Sequence, residues 1–148
     1  MKLGDRNRPV VVRSEVTVPQ LGDRRAPGEV RLPTSSREAN LAGTYARLGK
    51  RRWPLVLGYP WRHEETVSYR LPKDTRVVHW PSRREMKSRF GELSLVAERS
   101  PAGVTIRSIF VVAVSRISPE EYPAFRAFLR DADTALEERL VVALGRSP

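Results

Sequence analysis

Cysteine is absent from the 148 residues, and there are only two histidines, His63 and His79. The first absence excludes disulfides, thiolate metal sites and a cysteine nucleophile within this chain. It leaves the compartment open, because exported proteins also do without cysteine. Acids are the minority charge, 17 against 27 Lys and Arg, for a formal net charge of +10. Long hydrophobic runs are missing too. The longest, Ile109 to Val114, is far too short to cross a bilayer, so no membrane span is expected. Met1 to Pro9 holds no apolar run that could serve as a signal peptide and is expected to be disordered. As written, the chain reads as soluble.

What is present is a length that suits one domain, 1–148, large enough to bury a core without staples. Through residue 60 there are 12 bases and 5 acids, net +7; the rest has 15 and 12, net +3. The excess sits in the less regular half, and nearly all of it is arginine. Such a skew bears on solubility and nonspecific association, not on fold.

Alternation of apolar and polar residues marks strands. It runs through Val10, Val12, Val16 and Val18, then through Glu29 to Pro33, then through Val67, Tyr69 and Leu71. The turn chemistry of Pro72 to Asp74 precedes extended structure over Thr75 to Trp80, a spacing that reads as a hairpin. Ser82 to Glu92 reads as a charged connection. Leu93, Leu95 and Ala97 alternate next, and after the turn at Ser100–Gly103 comes the longest strand signal, Val104 to Arg116. Both faces are apolar near Phe110, which predicts a strand centre buried on both sides. Leu41, Tyr45 and Leu48 suggest a short helical turn, weakened by Gly43. Ser118, Pro119 and Glu121 form a helix start signal, and Tyr122, Phe125, Phe128, Leu129, Ala132 and Leu136 trace one stripe. This predicts a helix over about 118–136, with Pro123 marking a separate or distorted first turn. Leu140 to Leu144 adds a last strand. The chain is therefore expected to be mainly β, an antiparallel sandwich of about seven or eight strands with one C-terminal helix. A partly open barrel is the alternative.

Signals for catalysis are thin. His63 is followed by Glu64 and Glu65, but no second histidine stands one helical turn away, as a zinc helix requires. A metal-dependent hydrolase built on His63 and Glu64 therefore ranks last among the readings. No nucleophile elbow surrounds any serine, and the glycines are too scattered for a phosphate loop. The expectation is no enzyme activity, no metal and no cofactor. Lys50 to Glu65, "KRRWPLVLGYPWRHEE", interleaves bases with aromatic rings, as single-strand binders do. Basic nucleic-acid binding is thus the competing functional reading. Trp53, flanked by Pro54 and Leu55, is expected to point inward with Leu55 and Leu57. Arg52, Tyr59, Trp61 and Arg62 are the candidate contact surface, because aromatic and arginine side chains dominate interface energetics.

Four ordered motifs carry a resemblance: "R-x-P-L-x-L-x-x-P" at Arg52 to Pro60, "L-P" at Leu71 and Pro72, "V-x-W-P" at Val78 to Pro81, and "I-S-P-E-E-Y-x-x-F-R" at Ile117 to Arg126. Over residues 51 to 144 the chain resembles the C-terminal region of bacterial transglutaminase-like proteins. These have an N-terminal β domain of unknown function, a papain-like transglutaminase core and a C-terminal β domain. The resemblance implies a noncatalytic accessory domain, since that family's Cys, His and Asp lie on another domain. It also implies a transglutaminase-like core or another protein as partner, and a periplasmic or secreted location within an exported parent. Expression as written would instead place the chain in the cytoplasm.

Overall fold

A computed structural model describes residues 22–24, 28–36 and 38–145. The alternating segment from Val10 to Val18, and the Met1–Pro9 segment expected to be disordered, lie outside the described residues. The elements in chain order are β1 (Glu29–Pro33), α1 (Leu41–Tyr45), β2 (Leu55–Val56), β3 (Trp61–Arg70), β4 (Arg76–His79), β5 (Arg84–Ser88), β6 (Gly91–Ser100), β7 (Gly103–Val112), β8 (Arg116–Ile117), α2 (Tyr122–Leu136) and β9 (Arg139–Ala143). Among the described residues all strand pairs are antiparallel, in three sheets ordered β3-β7-β6-β5, β1-β9-β4 and β2-β8. The fold is mainly β and sandwich-like, and among the described residues no sheet closes into a barrel.

The four-stranded sheet buries one face along β7 and the first half of β6. On β7 that face carries Val104, Ile106, Ser108, Phe110 and Val112; on β6 it carries Leu93 and Leu95. Two lids cover it. The three-stranded sheet covers one half, bringing Leu32, Leu140 and Val142 against Leu95, Val104 and Ile106. Helix α2 covers the other half, with Phe125, Phe128 and Leu129 against Phe90, Leu93, Phe110 and Val112. Leu136, at the end of α2, touches both cores and joins them. Each fully buried side chain of this size contributes about 1.5–3 kcal/mol. Gly91 opens β6 at φ +157°, and a Cβ there would run into the Val111 carbonyl oxygen of the neighbouring strand.

Several expectations need correction. β3 and β4 do not form a hairpin: β3 pairs with β7, whereas β4 pairs with β9 in the other sheet. The turn at Pro72–Asp74 is present, with the Thr75 N–H donating to the Pro72 carbonyl at 3.0 Å, but it is a corner between sheets. Ser82 to Glu92 is no mere connection, because Arg84–Ser88 pairs with β6 as an edge strand. Its charged residues hid it, yet charges are what edge strands carry. The centre of β7 is not buried on both sides; Ile109 and Val111 remain partly exposed on the outer face.

The start signal at Ser118 is real but belongs to a separate turn. The Glu121 N–H reaches Ser118 Oγ at 3.3 Å, and the Ser118 N–H reaches Glu121 Oε2 at 3.2 Å. The helix then begins at Tyr122, with Pro123 in its first turn, where a missing donor does no harm. Its stripe is as expected: Tyr122, Phe125, Phe128, Leu129 and Ala132 are all buried.

Candidate interaction surface

The segment from Ala46 to Arg62 crosses the end of the molecule where α2, β3 and the small β2-β8 ribbon meet. α2 holds its beginning: Tyr122 Oη donates to the Leu48 carbonyl at 2.9 Å, and Arg126 Nε donates to the Ala46 carbonyl at 3.1 Å. The Arg51 guanidinium lies 5.6 Å from the centre of the Tyr122 ring. Further along, Leu55 and Val56 pair with Ile117 and Arg116, and the Leu57 N–H donates to the Ser115 carbonyl at 2.7 Å. These ties fix the backbone and leave the side chains between them projecting into solvent. Leu48, Trp53, Val56 and Tyr59 are 48%, 71%, 65% and 72% exposed.

Trp53 is therefore not inward, contrary to the expectation from its apolar neighbours Pro54 and Leu55. β2 is only two residues long, and the chain bends at Arg52–Trp53 before Pro54, so the inward packing of Leu55 and Leu57 does not reach back to Trp53. Its ring instead carries the Arg52 guanidinium, 5.7 Å from the centroid. Leu57 is buried as expected, and Leu55 is partly buried. Of the four candidate contact residues, Arg52, Tyr59 and Arg62 are exposed, and Trp61 is partly buried. Arg62 is ion-paired to Glu64 on the same strand face.

Trp61 connects surface and core. Its ring lies 5.5 Å from Tyr45 and 5.4 Å from Phe110, and Phe110 stacks on Phe128 at 5.7 Å. Tyr45 is placed by α1, whose first two N–H groups, Leu41 and Ala42, donate to the Asp133 carboxylate of α2 at 2.7 and 2.9 Å. Two depressions flank this ring pair. One, of about 440 Å³, is lined by Tyr45, Leu57, Tyr59, Trp61, Arg62 and His63. The other, of about 270 Å³, lies on the far side and includes Leu41, Tyr45, Trp61, His63, Phe110 and Leu136.

Beside the second depression Ser35, His63 and Glu65 come near one another, which raises the question of a hydrolytic triad. Ser35 Oγ donates directly to Glu65 Oε2 at 2.7 Å, and the Ser36 N–H donates to Oε1 at 2.9 Å. The hydroxyl thus meets a carboxylate with no imidazole between them, which is not the nucleophile–base–orienter order. Burial alone would raise the Glu65 pKa, but the Ser36 and Ser35 bonds, with the nearby His63, hold it below the usual carboxylate value. His63 itself is exposed. His79 lies on β4 opposite Val141, on the other sheet. Among the described residues, no three His, Asp or Glu side chains are grouped as a metal would require. No helix among them is long and apolar enough to cross a membrane.

Comparison with known proteins gives two likenesses. Residues 32–142 match a family described as a domain of unknown function with a solved structure, DUF3858. The fold is similar to part of the crystal structure of a "putative protease from Parabacteroides distasonis", with a TM-score of 0.65 at 15% sequence identity. That likeness covers 79% of this chain and spans about a quarter, 24%, of the other protein. No curated protein matches the chain.

Proposed function

We propose that this chain, which belongs to the DUF3858 family of domains of unknown function, is a noncatalytic accessory domain. It acts by packing on a protein partner, in the first instance the catalytic core of a transglutaminase-like protein. The observation that carries this reading is the run of exposed apolar side chains, Leu48, Trp53, Val56 and Tyr59, on a backbone tied down by α2 and β8. Large exposed rings among arginines on a fixed scaffold are what interface hot spots are made of. The likeness of fold to a segment of a much longer protein supports the accessory part of the reading.

The test is calorimetric titration of the chain with a transglutaminase-like core. Saturable binding at a 1:1 ratio is expected, and no heat of binding would count against the proposal. Assayed alone for peptide hydrolysis and amide cross-linking, the chain should give no rate. A robust rate abolished by one point substitution would overturn the noncatalytic assignment.

Nucleic-acid binding is the second reading, and the exposure of Trp53 and Tyr59 beside bases favours it. Against it, the Arg52 guanidinium already lies over the Trp53 ring, where a base would stack. It predicts oligonucleotide affinity that falls steeply with salt and is lost on Trp53→Ala or Arg52→Ala. Salt-insensitive or absent binding removes it.

A further inference from the structure

From the charge and shape of this end of the molecule we infer that the partner element seated here is an extended acidic segment bearing a bulky apolar side chain. The inference rests on the accessory-domain reading and deepens it by giving the partner's chemistry. Between Tyr45 and Arg62 the sequence holds five bases, Arg47, Lys50, Arg51, Arg52 and Arg62, and no acid. Arg116 adds a sixth, exposed directly opposite Val56 in the β2-β8 ribbon. An arriving acidic segment is steered by these charges, while a basic one is repelled.

Apolar specificity comes from the rings. The 440 Å³ and 270 Å³ depressions share Tyr45, Trp61 and His63 as their common wall; the smaller also holds Glu38, whereas the larger holds Arg62 and no acid, so an acidic segment seats in the larger with the aromatic wall beside it. Trp61 is held from beneath by Phe110, and Tyr45 by an α1 whose start is pinned to Asp133. The wall is therefore fixed before a ligand arrives, which lowers the ordering cost of binding. A bulky apolar side chain fills the larger recess, between Tyr45, Leu57, Tyr59 and Trp61. Neighbouring carboxylates then reach Arg52 and Arg62. Arg62 is already paired to Glu64, but both partners are exposed, and such pairs are weak enough for an incoming carboxylate to replace.

Fluorescence anisotropy on the full chain tests this with four labelled probes: a decapeptide alternating glutamate with phenylalanine and proline, its lysine-for-glutamate counterpart, a glutamate decapeptide, and a ten-base oligo-dT. The first should bind about tenfold tighter than each of the others, and Tyr59→Ala or Arg52→Glu should weaken it about five- to tenfold. Glu64→Gln should strengthen it about two- to threefold by freeing Arg62. Equal binding of the glutamate peptide, tighter binding of the lysine peptide or oligo-dT, no binding of any probe, or indifference to both substitutions would each overturn the inference. Both substituted side chains are exposed, so loss of fold does not confuse the result. The two proposals also fail separately. Absence of any binding to the transglutaminase-like core sinks the accessory reading. Core binding that survives Tyr59→Ala and Arg52→Glu sinks only this inference.

Discussion

Trp53 and Trp61 stand eight residues apart with similar neighbours in sequence, yet the structure gives them opposite weights in stability. Removing a fully buried tryptophan costs about 3–5 kcal/mol. Trp61 is only partly buried, which lowers that figure, but it makes two ring contacts, with Tyr45 and Phe110, each adding about 0.5–1.5 kcal/mol beyond area. Trp61→Ala should therefore cost about 2–4 kcal/mol. Trp53 is 71% exposed and, among the described residues, its ring meets the Arg52 guanidinium, so Trp53→Ala should cost no more than about 0.5–1 kcal/mol. Urea unfolding followed by far-UV circular dichroism measures both. With a slope of about 2 kcal/mol per M, the Trp61 midpoint falls by about 1–2 M and the Trp53 midpoint by less than about 0.5 M. Equal losses, or a larger loss at Trp53, would refute the assignment of one ring to the core and the other to the surface.

Three further outcomes follow from particular bonds. Glu65 has its pKa depressed in the folded state, so its bonds to Ser35 and Ser36 add stability at neutral pH that is lost as the pH falls below the ordinary carboxylate range; Glu65→Gln should flatten the acid limb of a stability–pH profile, and an unchanged limb would contradict the cause. Tyr69 is pushed up to about 12 by burial, and its hydroxyl donates to the Pro33 carbonyl at 2.6 Å. Its contribution is thus full below pH 10 and lost as the pH rises towards 12, and Tyr69→Phe should cost about 1 kcal/mol in the same urea assay; normal ionisation near pH 10 by ultraviolet absorbance would contradict the burial. Asp133→Ala leaves the Leu41 and Ala42 N–H groups without their acceptor and should cost about 1–2 kcal/mol, with Asp133→Asn closer to wild type; no change in the urea midpoint would contradict the capping role.

Much of the layering was legible in the chain because burial on one side leaves a period. The stripe from Tyr122 to Ala132 and the alternation along β6 and β7 name the two facing surfaces of the core directly. Pairing was less legible. A turn such as Pro72–Asp74 reports that the chain reverses, not that the strands on either side share hydrogen bonds. Here the reversal carries β4 across to β9, 62 or more residues later in the chain. β5 was missed because an edge strand need not look apolar, and its register with β6 depends on partners only the fold supplies.

The candidate surface was readable as composition and misread at one residue. Arg52, Tyr59 and Arg62 are exposed as their types suggest, but the apolar residues that follow Trp53 do not draw its ring inward, because the chain bends at Arg52–Trp53 before Pro54. The better signal was its neighbour: two arginines immediately before a tryptophan leave little apolar chain to bury it with. Nothing local could have brought Tyr45 beside Trp61, because that contact depends on Asp133 pinning α1.

Hydrogen–deuterium exchange on the chain, with and without a transglutaminase-like core, tests the central claim most directly. Added core should slow exchange at the amides from Gly49 to Arg62, leaving β5 and the outer face of β6 unchanged. Protection confined to those other surfaces, or none anywhere at saturating core, would contradict the account.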